Sequence, residues 1–137
     1  LRSYIAGLKG AGDRDSTLLP SIRQFVARFG EATGITVQVA AEGDIHISDR
    51  LAAEVFQMVV EGLSNVRRHT QAEAAAIRVS YSNGYMSLQI ENDGSTSNGE
   101  PRFTPHSISS RAESLGGRAL VRVTEQGRTV VSVTIPL

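Results

Sequence analysis

The chain has 137 residues, 40% of them apolar and 20% charged, which suits one soluble globular domain with a hydrophobic core and is too short for two. Its 14 basic and 14 acidic residues cancel, so no overall field favours nucleic acid, and the lack of cysteine excludes disulfides and thiolate metal sites. No run of about eighteen apolar residues offers a membrane span, and Leu1-Arg-Ser-Tyr lacks the apolar region of a secretory signal. The first residue is not Met, so the expectation is a piece of a longer protein. A cysteine-free chain is compatible with a cytoplasmic domain, and anchoring of the parent in a membrane is left open.

Leu1, Ile5 and Leu8 have helical spacing and read as the end of a helix cut short upstream. Gly10-Ala-Gly-Asp-Arg-Asp follows as a flexible connector. Leu18, Leu19, Ile22, Phe25, Val26 and Phe29 mark an amphipathic helix that Gly30 or Gly34 can end. Ile35 to Val39 alternates as a strand. Ser48 and Asp49 are cap candidates for the longest helix, about Arg50 to Thr70, with Leu51, Val55, Met58, Val59, Leu63 and Val66 as its buried stripe. Ala75 to Tyr81 and Tyr85 to Ile90, joined by Asn83-Gly84, read as a hairpin. After a long polar loop, Ser107 to Leu115 is a short helix stopped by Gly116-Gly117. Arg118 to Thr124 and Thr129 to Ile135 form a second hairpin turning at Gln126-Gly127. The order α-β-α-β-β-α-β-β predicts a two-layer α/β sandwich, a mixed sheet with helices on one face. The order of strands across the sheet is left open.

Glu61, Asn65 and Arg68 stand at i, i+4 and i+7 on the long helix, so they share a face away from the apolar stripe, with His69 beside them. A carboxylate, a carboxamide and two potential cations suit a divalent metal with phosphates. Asn oxygen is a hard ligand for magnesium, Glu61 can accept a proton, and Arg68 can neutralise phosphate. The same spacing also describes a solvated helix face, and His69 near the C-terminus can simply favour the helix dipole.

Taken in order, the segments point further. Glu61-Gly-Leu-Ser-Asn65-Val-Arg-Arg68-His69 resembles the asparagine box of sensor histidine kinases, within the GHKL ATPase superfamily. Asn92-Asp-Gly94 falls where that family has its adenine-binding turn. Arg111-Ala-Glu-Ser-Leu-Gly-Gly117 looks like the helix end after the ATP lid, and Thr129 to Pro136 like the closing strand. Leu1 to Leu8 and Thr33-Gly-Ile-Thr-Val resemble the subgroup that pairs with LuxR-type response regulators. The likeness covers essentially the whole chain.

The resemblance implies the Bergerat ATP-binding fold over residues 15–137, with 1–14 as the end of an upstream dimerisation helix and its connector. It implies ATP and magnesium as ligands, Asn65 as the metal ligand, and Glu61 as general base or water-positioning residue. Arg68 and then His69 would contact phosphate, while Arg67 lies on another face. Asn92 would take the place of the adenine-binding Asp, with Gly94 in the turn and Thr129 near the adenine pocket. Asn can accept from the adenine amine and donate to the neighbouring ring nitrogen, so this substitution is compatible with adenine recognition.

Departures lie in the lid. Thr96 stands where the turn has its second glycine, Arg102 to Ser107 contains no glycine, and Pro101 and Pro105 offer no N–H. Arg128 replaces a usual glycine beside Thr129. Ser107, Ser109 and Arg111 can supply side-chain contacts to phosphate instead, or Ser107 can cap the short helix.

The implied function is transfer of the ATP γ-phosphoryl group to a His on an upstream dimerisation helix of a homodimeric parent. A response regulator is then the next partner, and no nucleic acid is involved. None of His46, His69 and His106 lies in a sequence resembling the phosphoacceptor segment. The alternative is a degenerate kinase domain serving as a nucleotide sensor or protein-interaction module without phosphotransfer. A serine-directed relative acting on anti-sigma-factor antagonists is a third reading.

Overall fold

The structure is a computed structural model that describes residues 10–43, 46–94 and 100–137, with side chains described from residue 17 onward. The elements are α1 (Gly10–Thr33), β1 (Thr36–Glu42), α2 (Asp49–His69), β2 (Ala74–Ser82), β3 (Tyr85–Asn92), α3 (His106–Ser114), β4 (Arg118–Val123) and β5 (Thr129–Pro136). This is the element order expected from the sequence. The expected helix end at Leu1 to Leu8 lies outside the described residues, as does the lid segment 95–99 with Thr96.

Two local expectations change. Helix α1 begins at Gly10, so the segment expected as a flexible connector is helical. Propagation adds a hydrogen bond per residue once a helix exists, and each glycine costs only about 1 kcal/mol relative to Ala. The downstream half supplies the nucleus, because Leu18, Ile22 and Val26 are buried. Helix α3 begins at His106, with Pro105 in the cap position and no side-chain cap. Ser107 is therefore inside the first turn and does not cap it. Pro105 has a φ of −82°, already suited to helix entry, and no N–H that needs a partner. By contrast Ser48 caps α2 as expected, its Oγ accepting from Leu51 N at 3.1 Å.

The five strands form one mixed sheet in the order β1-β2-β3-β5-β4. Strands β1 and β2 are parallel, and the remaining neighbours are antiparallel. Alternate residues turn one face inward: Ile77 and Val79 from β2, Met86, Leu88 and Ile90 from β3, and Val131, Val133 and Ile135 from β5 are all buried. They meet Leu18, Ile22 and Val26 of α1 and Val55, Met58, Val59, Leu63 and Val66 of α2 in one core. The fold is thus a two-layer α/β sandwich with helices on one face. Leu51, expected in the α2 stripe, is only partly buried at the first turn, and Ala52 is buried instead. Among the described residues no helix is long and apolar enough to cross a membrane.

Two contacts place the α2 face that carries the polar residues. Gly62 is buried beneath Ile90 and Ile108, and a Cβ there would overlap Ile90 Cδ1 and stand 3.6 Å from Ile108 Cδ1. Its missing side chain lets α2 sit close to β3 and α3. At the end of β3, Gly94 has a φ of +78°, and a Cβ would lie 2.8 Å from Ala72 N and 2.9 Å from Ala72 Cα. The turn after β3 is therefore pressed against the chain leaving α2.

Gly94→Ala combines left-handed strain with a backbone clash, so it should destabilise the fold by about 2–4 kcal/mol. Gly84 has the same φ of +78° but open space around its Cα. Gly84→Ala should then cost only about 1–2 kcal/mol. Urea denaturation of both variants tests the difference, and equal losses would show that contact with Gln71 and Ala72 contributes nothing.

Candidate functional site

The outward face of α2 opens into a cavity of about 360 Å³ lined by Glu61, Ser64, Asn65, Arg68, His69, Thr104, His106 and Ser107. Four expected site residues are thus brought together: Glu61, Asn65, Arg68 and His69. One helical repeat puts them on one side, and the buried stripe opposite fixes which side faces out. Arg68 and His69 are exposed at the last turn, whereas Glu61 and Asn65 are partly buried. Thr104, His106 and Ser107 come from the far wall, formed by the lid end and the start of α3. Phe103 stacks on His69 with ring centroids 5.8 Å apart and planes at 26°, holding the lid end over the last turn of α2.

Arg111 contributes an unexpected interaction. Its guanidinium donates from Nη1 to Glu54 Oε1 and from Nη2 to Glu61 Oε2, both at 2.9 Å. Gln57 Nε2 adds a bond to Glu61 Oε2 at 3.3 Å. Hydrogen bonding to Glu54 raises the Arg111 pKa above its ordinary value, desolvation opposes the rise, and Glu61 adds to it. The guanidinium is therefore committed to two carboxylates in this structure, where the sequence suggested a phosphate contact. Glu61 Oε1 and Arg111 Nε are buried without a hydrogen-bond partner among the described residues.

The adenine-turn candidates lie at the adjoining end of the sheet. Asn92 ends β3, and the antiparallel register puts Thr129 directly opposite it. Both are buried, at 1% and 0% exposure, on the helix-facing side of the sheet. Asn92 Nδ2 donates to Asp93 O at 2.6 Å. The neighbouring Asp93 acts on the backbone instead, where its Oδ1 accepts from Glu73 N at 2.8 Å and Ala74 N at 3.1 Å. The acid of the pair thus holds the start of β2, and the amide occupies the inward position. Arg128, where a glycine was expected, pairs with Glu91 on the surface at 3.3 Å.

Sequence spacing identified the α2 residues because they lie on one element. It missed Ser64, Thr104 and His106 as lining residues and did not pair Arg111 with Glu54 and Glu61. The one hint was an i, i+7 pair of acids on a single helix face. Among the described residues no group of three His, Cys, Asp or Glu side chains is arranged to hold a metal. A divalent ion here would rely on Asn65 together with oxygens of its own ligand.

Replacing Asp93 by Ala leaves the N–H groups of Glu73 and Ala74 without their acceptor. A loss of about 1–3 kcal/mol is expected in a denaturant titration. Asp93→Asn, which keeps an acceptor oxygen, should recover a large part of it.

No protein-family model matches the chain. It is 24% identical over its full length to the signal transduction histidine-protein kinase/phosphatase DegS of Brevibacillus brevis, covering 37% of that protein. Over 60% of its length it is 31% identical to the sensor histidine kinase LnrJ of Bacillus subtilis, covering 21% of that protein. The chain therefore spans well under half the length of the curated relatives it matches. Among solved structures, the nucleotide-free catalytic domain of histidine kinase ThkA superposes with a TM-score of 0.66 at 12% identity, over 88% of this chain and 92% of that one. The chain has the fold of a histidine kinase catalytic domain, and the two sequence relatives are a signal transduction histidine-protein kinase/phosphatase and a sensor histidine kinase.

Proposed function

We propose that the chain is the ATP-binding catalytic domain of a sensor histidine kinase. The observation that carries this reading is the cavity in which Glu61, Asn65, Arg68 and His69 face the lid end and the start of α3. Its chemistry fits a magnesium nucleotide. Asn65 has a hard oxygen, Glu61 has a buried carboxylate oxygen without a partner among the described residues, and two exposed cationic or potentially cationic side chains stand beside them. Magnesium, when bound, would neutralise phosphate charge.

The chain's own residues then divide the work. Asn65 would hold the hydrated ion. Arg68 and His69 would counter the charge on the phosphates. Glu61 would orient the attacking imidazole or take its proton while that nitrogen bonds to the γ-phosphorus and ADP leaves. Asn92 would read adenine, with Gly94 shaping the turn and Thr129 beside it. Asn92 Nδ2 carries two N–H groups and uses one on Asp93 O, so base binding requires the buried side chain to be uncovered but not that bond to be given up. Pro101 and Pro105 deprive the lid of two donors, so the grip on phosphate rests on side chains such as Ser64, Thr104 and Ser107 that line the cavity.

The acceptor His would lie on an upstream dimerisation helix of a homodimeric parent, with the segment before α1 joining it to the catalytic domain. A LuxR-type response regulator would take the phosphoryl group next. The glycine-poor lid is the feature that favours a degenerate module without phosphotransfer, and Glu61 and Asn65 together in the cavity argue against it. Both sequence relatives are kinases by name.

Calorimetric titration with ATP and ADP, with and without magnesium, tests this reading. Binding that magnesium strengthens is expected. Asn65→Ala should remove the magnesium dependence and weaken MgATP by about tenfold or more, about 1.4 kcal/mol. Asn92→Ala should weaken ATP and ADP alike. Absence of binding at millimolar nucleotide would sink the proposal.

A further inference from the structure

We propose that Arg111 is a positioning residue for Glu61: from α3 it clamps the carboxylates of Glu54 and Glu61, fixing one oxygen of Glu61 and leaving the other for the reaction. This inference rests on the functional reading above, in which Glu61 acts on the attacking group.

Three features carry it. Glu54 and Glu61 stand seven residues apart, so they lie on one face of α2 two turns from each other. The planar fork of Arg111 spans them, Nη1 to one and Nη2 to the other, each at 2.9 Å. A lysine presents a single point charge and cannot reproduce this two-sided geometry. Only Oε2 of Glu61 is used, by Arg111 and by Gln57, while Oε1 is buried and unpartnered among the described residues. A flexible carboxylate held at Oε2 is fixed in one orientation, which is what a positioned acid–base group needs, and the reaction then requires Oε1, buried here, to be exposed to the attacking group.

The helix contact beneath sets the reach. Ile108, one turn before Arg111, is fully buried beside Gly62, one residue after Glu61. The distance from α3 to α2 is therefore set by packing, and the guanidinium spans a gap that the core holds constant. The clamp also ties Glu61 to the helix that follows the lid.

The test uses the whole 137-residue chain, with MgATP affinity measured by calorimetry, ATP hydrolysis at saturating MgATP, and folding checked by thermal denaturation. Arg111→Ala should slow hydrolysis by about 10–100-fold while MgATP affinity changes by less than about threefold. Arg111→Lys should recover only part of the rate, and Glu54→Gln should lower the rate by a smaller factor without loss of affinity. Adding Arg111→Ala to Glu61→Gln should slow the reaction no further than Glu61→Gln alone, because the two act as one unit. If Arg111→Ala does not fold, Arg111→Lys and Glu54→Gln provide the same comparison of rate against affinity.

Tenfold weaker MgATP binding with an unchanged saturating rate would overturn the proposal and make Arg111 a phosphate contact. A lowered melting temperature with normal rate would make it purely structural and equally overturn it. Wild-type chain that neither binds nor hydrolyses MgATP removes the functional reading and this inference with it. Wild-type activity that Arg111 and Glu54 variants leave untouched removes this inference alone.

Discussion

Helix α2 has to seal the core with one face while presenting ligand chemistry on the other, and the close packing at Gly62 lets it do both. Val55, Met58, Val59, Leu63 and Val66 are buried against the sheet, each side chain worth about 1.5–3 kcal/mol relative to exposure. That burial fixes the rotation of the helix about its axis. Once the rotation is fixed, Glu61, Asn65 and Arg68 have no choice of direction. Gly62 sits between the two faces and admits Ile90 from below and Ile108 from the side. The polar face therefore inherits its geometry from apolar packing, and a shift in the core would move the site.

The end of β3 imposes a second constraint. Asp93 and Gly94 bind the sheet to the segment after α2, one through two backbone N–H groups and the other through the lack of a side chain. This keeps the end of β3, where Asn92 faces Thr129, near the segment that leaves α2. The division of labour between Asn92 and Asp93 follows from strand alternation. Consecutive residues face opposite ways, and only Asn92 shares the inward side with Leu88 and Ile90.

Across the cavity, the segment before α3 has two prolines and no glycine from Arg102 to Ser107. Two prolines bracket Arg102, Phe103 and Thr104, and the Phe103 ring lies on His69. A glycine-rich lid offers many N–H groups at little steric cost, whereas this segment offers hydroxyls and an aromatic anchor. The side chains that it turns into the cavity thus depend on where α3 is docked. That docking is shared by Ile108 in the core and Arg111 between two carboxylates.

The element order and the inward stripe of α2 were legible in the sequence, because each depends on a period of two or 3.6 within a continuous segment. The turn at Asn83-Gly84 and the cap at Ser48 were legible for the same reason, since each needs only residues a few positions apart. Glu61, Asn65, Arg68 and His69 were grouped by one helix, and Asn92 with Gly94 by the resemblance of their turn to the adenine-binding turn of the kinases. Tertiary structure alone decided what stands opposite them. Arg111 meets Glu54 and Glu61, Phe103 meets His69, and Thr129 meets Asn92, because packing and strand register bring distant segments together. No local period encodes such distances. The sequence thus determined which side chains each element can offer, and the folded core determined which of them face one another.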